Sequence, residues 1–149
     1  MTDAQIWKVG PREVHEAMEL IKESFSYDEV EALKLLKEKV RSEKELLLLA
    51  KFDGKAVGLL EAEIMERSFL SGKKMIGVIY TILIKEKHRR KGVGRQLTDT
   101  AIIWFRVNQA TETVCNLPHD DVETADFLKK LEFLPYQVRM RREIEPFSQ

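Results

Sequence analysis

Residues 75–84, MIGVIYTILI, are an almost uninterrupted apolar and β-branched run, and residues 85–95, KEKHRRKGVGR, follow with no spacer. The first composition suits a central strand, covered on both faces. In the second, seven of the eleven residues are Lys, Arg or His, and Gly92 and Gly94 flank Val93. Beyond it Val93, Leu97, Ala101, Trp104 and Phe105 recur at i, i+4, i+8, i+11 and i+12, one face of a helix over about 93–108. A buried strand therefore runs through a basic glycine loop straight into a buried helix, and the fold must place that junction at an end of its sheet.

The flanking sequence supplies the rest of a layered domain. QIWKV (5–9) reads as a short strand ended by Gly10-Pro11, and Pro11 suits the first turn of a helix over about 11–25. Asp28 is placed to cap a second helix whose stripe is Val30, Leu33, Leu36, Lys37 and Val40. ELLLLAKF and KAVGLLEAEI are strands joined at Asp53-Gly54, a hairpin dipeptide, and MERSFLSGKK reads as a charged loop before the central strand. ETVCNL (112–117) is a further strand, VETADFLKKL (122–131) a short helix, and FLPYQVRMRREI (133–144) a last strand or pair bent at Pro135. The expected order is β-α-α-β-β-β-α-β-α-β in one α/β (α+β) domain over 1–149, long enough to bury about 70% of its unfolded surface.

Charge and cysteine content narrow the partners. Lys plus Arg and Asp plus Glu both number 25, so the basic run is local, which weighs against a nucleic-acid groove that would leave a basic imbalance on the domain. The single cysteine, Cys115, has no internal disulfide partner, and its strand-like flanks make it a small core residue in a reducing interior. The N-terminus lacks an apolar signal core and no window approaches about 20 apolar residues, so a soluble cytoplasmic protein without membrane or metal partners is expected.

A strand, a basic glycine loop and a helix start together form an anion cradle. Glycines let amides approach an anion without a Cβ in the way, the first helical amides lack internal acceptors, and the helix dipole favours negative charge there. Arg89, Arg90, Lys91 and Arg95 add charge, and arginine can fork two oxygens. The spacing matches neither a Walker A loop nor G-x-G-x-x-G. Arg89-Arg90-Lys91-Gly92-Val93-Gly94 is R-x-x-G-x-G, which resembles the acetyl-CoA pyrophosphate signature of the GNAT superfamily of N-acetyltransferases, and the element order from about residue 5 to 144 resembles that superfamily too. The resemblance implies a mixed central sheet splayed after strand 4. It also implies acetyl-CoA as cosubstrate, its pantetheine arm bonded to backbone around Leu83 and Ile84 and its pyrophosphate on the loop from Arg89 through Arg90, Lys91, Gly92, Val93 and Gly94 to Arg95. The implied activity is acetyl transfer to a primary amine by direct attack in a ternary complex. The family often dimerises, and the RMRREI segment is a candidate for pairing across such an interface.

The sequence departs from the family pattern where the chemistry is usually found. The family's N-x-x-A-x-x-[FY]-Y-x-x-x-G-F is matched here by DVETADFLKKLEF: Asp121 stands for Asn, Leu128 for the proton-donating Tyr, Glu132 for Gly and Phe133 for Phe. Asp121 and Leu128 are thus cofactor-side positions by correspondence, but Leu128 has no ionisable group. The frequent strand-4 glutamate has no counterpart either; Tyr80 occupies that stretch. The substitutes available are Tyr80 or Tyr136 as acid and Glu63, His119 or Asp120 as base, each with an ordinary packing or surface role as its competing explanation. The alternative to catalysis is a non-catalytic acetyl-CoA-binding or regulatory module. Glu132 at a glycine position leaves two outcomes, a left-handed Glu132 or a differently ended helix.

Overall fold

The computed structural model describes residues 3–26 and 28–147, and the chain divides into two compact units, 1–116 and 117–149. The first contains β1 (Gln5–Lys8), α1 (Val14–Ser24), α2 (Glu29–Arg41), β2 (Glu45–Phe52), β3 (Lys55–Phe69), β4 (Gly72–Ile84), a 3-10 turn (Glu86–His88), α3 (Val93–Val107) and β5 (Glu112–Cys115). The strands form one sheet in the order β1-β2-β3-β4-β5, antiparallel except for the parallel β4–β5 pair. No helix among the described residues is long and apolar enough to cross a membrane.

Local sequence accounts for most of these boundaries. The Asp28 carboxylate accepts from the amides of Val30 at 2.9 Å and Glu31 at 3.1 Å, the expected cap of α2. Asp53 and Gly54 take φ of 51° and 76°, which turns β2 into β3. The charged loop expected at 65–74 is instead hairpin: Glu66, Arg67 and Ser68 pair with Met75, Lys74 and Lys73, and the turn closes at Gly72 with φ of 136°. Its residues are polar because the strand tips are exposed, and polarity there reports solvent rather than a loop.

Leu47, Leu49 and Leu59 of the sheet join Val14, Ala17 and Leu20 of α1 and Leu36 of α2 in one buried cluster. The buried residues Leu97, Ala101 and Phe105 lie along α3, which packs on β2, β3 and β4. A Cβ on Gly77 of β4 would stand 2.4 Å from the Phe105 ring, so glycine there sets how closely helix and sheet approach. The expected splay is present: among the described residues, β4 pairs with β5 only over Ile76–Ile79, while Thr81–Ile84 has a strand neighbour on the β3 side alone.

The second unit holds α4 (Val122–Lys130), capped by Asp121, whose carboxylate accepts from the Thr124 amide at 3.0 Å. The helix ends with Glu132 at φ of 71°, the Glu132 amide donating to the Lys129 carbonyl and the Phe133 amide to the Leu128 carbonyl, both at 3.0 Å. This is a Schellman ending with glutamate in the glycine position. The terminal strand expected over 133–144 is not formed. Leu134, Tyr136, Val138 and Met140 keep a strand's alternation but are 81%, 69%, 86% and 86% exposed, and no ladder partner exists for them among the described residues. Alternation without a partner strand does not make a sheet.

Two substitutions test these constraints. Gly77→Ala is expected to cost about 1–3 kcal/mol by overpacking against Phe105, and Glu132→Gly to add about 1 kcal/mol by relieving the left-handed residue; equilibrium denaturant unfolding reads both.

Candidate active site

The basic loop turns on two left-handed residues, Arg90 at φ of 63° and Gly92 at 84°, with Gly92 serving as the N-cap of α3. Such alternation of backbone handedness makes a concave nest of amides. The first backbone bond into the helix runs from the Gln96 amide to the Gly92 carbonyl at 3.0 Å, so the Val93 and Gly94 amides precede the helical ladder and have no intrahelical acceptor. Arg89, Arg90, Lys91 and Arg95 are all exposed around them. The Arg89 Nε also donates to the Ile84 carbonyl at 3.1 Å, which ties the loop to the end of β4. Leu83 and Ile84 pair with Leu59 and Gly58 of β3 and lie beyond the last β5 pairing. An amide-nest loop, exposed cations and a one-sided strand edge together fit an elongated ligand with a phosphate head and an amide-bearing arm.

Farther up the same strand, the pairing with β3 is interrupted. Glu61 opposes Thr81 and Ala62 opposes Ile79, leaving Tyr80 as the extra residue of a β-bulge. The bulge breaks the strict alternation of β4, so Tyr80 and Thr81 both reach carboxylates of β3. The Tyr80 hydroxyl donates to Glu63 Oε1, and Thr81 Oγ1 donates to Glu61 Oε1 at 2.8 Å. Burial first, then the hydrogen bond and charge of Glu63, push the Tyr80 hydroxyl up to about 12. Lys39 of α2 bridges Glu45 of β2 at 2.8 Å and Glu61 at 3.0 Å. Burial works to lower its pKa, but the hydrogen bonds and charges of the two glutamates outweigh it and hold Lys39 above its ordinary value.

Beside this network lies a cavity of about 170 Å³. Its apolar walls come from α1 and α2 (Ile21, Phe25, Leu35, Leu36) and the sheet (Leu47, Leu59), and its polar lining is the contiguous set Lys39, Glu61 and Thr81.

Two of the residues expected to carry acid–base chemistry, Tyr80 and Glu63, are therefore bonded to one another within the first unit. His119, Asp120 and Tyr136 are exposed residues of the second unit. There Asp121 is a helix cap, its carboxyl held below the usual range by its side-chain and backbone hydrogen bonds with Thr124, and Leu128 is buried. Burial pushes the Cys115 thiol up, away from thiolate and nucleophile. Lys39, Glu61 and Thr81 escaped the sequence reading, which gave the α2 stripe to Lys37. The available signal was LLEAEI, two carboxylates spaced i, i+2 on one face of an otherwise apolar strand.

The acetyltransferase (GNAT) family model matches residues 14–133, and the chain belongs to that family. Among solved structures, apo aminoglycoside antibiotic 6'-N-acetyltransferase AAC(6')-IG from Acinetobacter haemolyticus is 24% identical with a TM-score of 0.80, over 95% of this chain and 99% of its own. AAC(6')-Iy in complex with the bisubstrate analogue CoA-S-monomethyl-acetylneamine is 16% identical with a TM-score of 0.86, over 96% and 99%. A transcriptional regulator from Bacillus halodurans C-125 is 15% identical with a TM-score of 0.81, over 95% and 99%. These likenesses establish the fold. A search of curated proteins returned no match.

The raised Tyr80 pKa has a definite sign. The native state keeps this proton where an unfolded tyrosine, with a pKa of about 10, loses it. The Tyr80 contribution to stability is therefore fully present below about pH 10 and is lost as pH rises through about 12. Ultraviolet difference titration is expected to show one tyrosine ionising last, and Tyr80→Phe to remove that transition.

Proposed function

We propose that the protein is an acetyl-CoA-dependent N-acetyltransferase that acetylates a primary amine by direct attack in a ternary complex, with residues 1–149 acting as one domain. The observation that supports this reading is the coincidence, along one half-paired strand, of a basic loop with free helix-start amides and a hydrogen-bonded Tyr80–Glu63 pair. The family match, which runs through both compact units, supports it.

In this reading the Arg90–Arg95 amides and the side chains of Arg89, Arg90, Lys91 and Arg95 hold a pyrophosphate, and backbone at Leu83 and Ile84 bonds the pantetheine arm. Arg89 has a second task, since its bond to the Ile84 carbonyl also fixes the loop against the strand. Bound acetyl-CoA supplies an activated acyl group on a thiolate leaving group. Glu63 takes a proton from the acceptor ammonium, directly or through water. Tyr80 is protonated at neutral pH, as a tyrosine with a pKa of about 10 also is, and it serves as the hydrogen-bond or proton donor. Leu128 contributes no proton. Transfer from a thioester leans on positioning, which lowers the demand on any single acid.

The second reading, a non-catalytic acetyl-CoA-binding module, is favoured by Leu128 in the usual tyrosine position. A likeness to a transcriptional regulator is compatible with it. Amine-stimulated release of CoA thiol separates the two, because a binding module gives none.

Calorimetric titration is expected to give micromolar acetyl-CoA binding that weakens tenfold or more, about 1.4 kcal/mol, in the Arg89→Ala/Arg90→Ala double variant. Absence of binding at millimolar acetyl-CoA would sink the reading. Tyr80→Phe and Glu63→Gln are each expected to lower kcat about 100-fold in a thiol-release assay while acetyl-CoA affinity stays within about twofold.

A further inference from the structure

We infer that the amine acceptor carries one compact apolar substituent, about the size of a benzene ring, which occupies the cavity between α1, α2 and the sheet while its nitrogen lies at Glu61 and Glu63. The inference rests on the acetyl-transfer reading and narrows it to a substrate class.

Three observations converge on this cavity. Its volume is about 170 Å³, and a space of about 150 Å³ is large enough to hold a benzene molecule. Away from Lys39, Glu61 and Thr81 its walls are aliphatic and aromatic, so a hydroxyl or second ammonium set against them would lose hydration without gaining a partner. Its outer residues Phe25 and Leu35 are 53% and 52% exposed, which gives the apolar lining continuity with the surface, unlike a sealed packing defect.

The polar lining sets the charge of the ligand's other end. Lys39 is bonded to both Glu45 and Glu61. Glu63 is bonded to Tyr80, so carboxylates outnumber ammonium groups in the bonds of this network among the described residues. That excess attracts a cation and repels an acidic acceptor. Glu63 is already bonded to the Tyr80 hydroxyl, so a nitrogen drawn to this end meets the acid–base pair. The cavity accepts one apolar group and the network one cationic nitrogen. A monoamine with an aryl or branched alkyl group satisfies both, whereas a polyhydroxylated or polycationic amine satisfies only the second.

Phenethylamine is the probe, with ethanolamine and spermidine as comparators. In protein-observed magnetic resonance titrations without acetyl-CoA, phenethylamine is expected to bind at least tenfold more tightly than ethanolamine and to perturb Ala32, Leu47 and Leu59. Ala32 also lines the cavity; Ala32→Phe, which fills it, and Leu35→Ser, at its exposed rim, are each expected to weaken phenethylamine at least fivefold, with melting curves confirming the fold. Leu35→Ser keeps the test decisive if Ala32→Phe does not fold. In the thiol-release assay, kcat/KM for phenethylamine is expected to exceed that for ethanolamine and spermidine at least tenfold. Phenethylamine binding without thiol release supports the cavity assignment and overturns acetyl transfer. Thiol release that favours spermidine, or treats the amines alike, supports transfer and overturns the cavity assignment. If phenethylamine binds no better than ethanolamine, or if both variants leave its binding unchanged, the inference is overturned.

Discussion

Strand β4 has two neighbours of very unequal length, and the candidate site follows from that inequality. Its ladder with β3 runs from Gly72 to Ile84, while the parallel ladder with β5 covers only Ile76–Ile79. A backbone edge left without a strand partner still has donors and acceptors to satisfy. Arg89 answers for one of them through the Ile84 carbonyl, and an amide-bearing ligand arm answers for others in the proposed function. The same inequality explains why the anion loop lies where it does. β4 outlasts β5 by five residues, and the chain leaves its free end through Lys85–Gly92 into α3.

The bulge at Tyr80 converts the strand from scaffold to site. In regular alternation successive residues point to opposite faces, so adjacent side chains cannot share one network. The extra residue lets Tyr80 reach Glu63 while Thr81 reaches Glu61, and Lys39 extends the chain of bonds from β3 to α2 and β2. Helix α2 is thus joined to the sheet by charge as well as by Leu36. Removing either partner of the Lys39–Glu61 pair would leave a charge in a half-buried setting, so that pair fixes the floor of the cavity as much as it sets its electrostatics.

The junction at 75–108 was legible from sequence because three signals agree there: a doubly apolar strand, a glycine-basic loop and a helical stripe ending in Phe105. Asp28, Asp53-Gly54 and the splay were legible for similar local reasons or through the family pattern. Long-range compensation was not. The hairpin tip at Glu66–Lys74 looked like a loop because its charge reports exposure, whereas its pairing is set by the register of Gly58–Glu63 far below it. The 133–144 segment looked like a strand because alternation is a local property and a ladder partner is not. Lys39 looked like one more surface lysine, since neither Glu45 nor Glu61 is near it on a helical or strand repeat; only the crossing of α2 over β2 and β3 brings them together.

The second unit separates what the family frame requires of the backbone from what it requires of side chains. Glu132 adopts the left-handed conformation that the family gives to glycine, and the Leu128 and Lys129 carbonyls receive the two capping bonds such an ending needs. The helix is terminated in the family manner at a cost of about 1–2 kcal/mol in backbone strain. Leu128 keeps the position of the usual tyrosine but is buried and without a proton. Under the proposed function, proton handling then falls to the pair formed wholly within the first unit. There burial first, and then the Glu63 carboxylate, raise the Tyr80 pKa, and the carboxylate is oriented because the tyrosine bonds it. Tyr80 and Glu63 hold each other in place, an arrangement that depends on the bulge in β4.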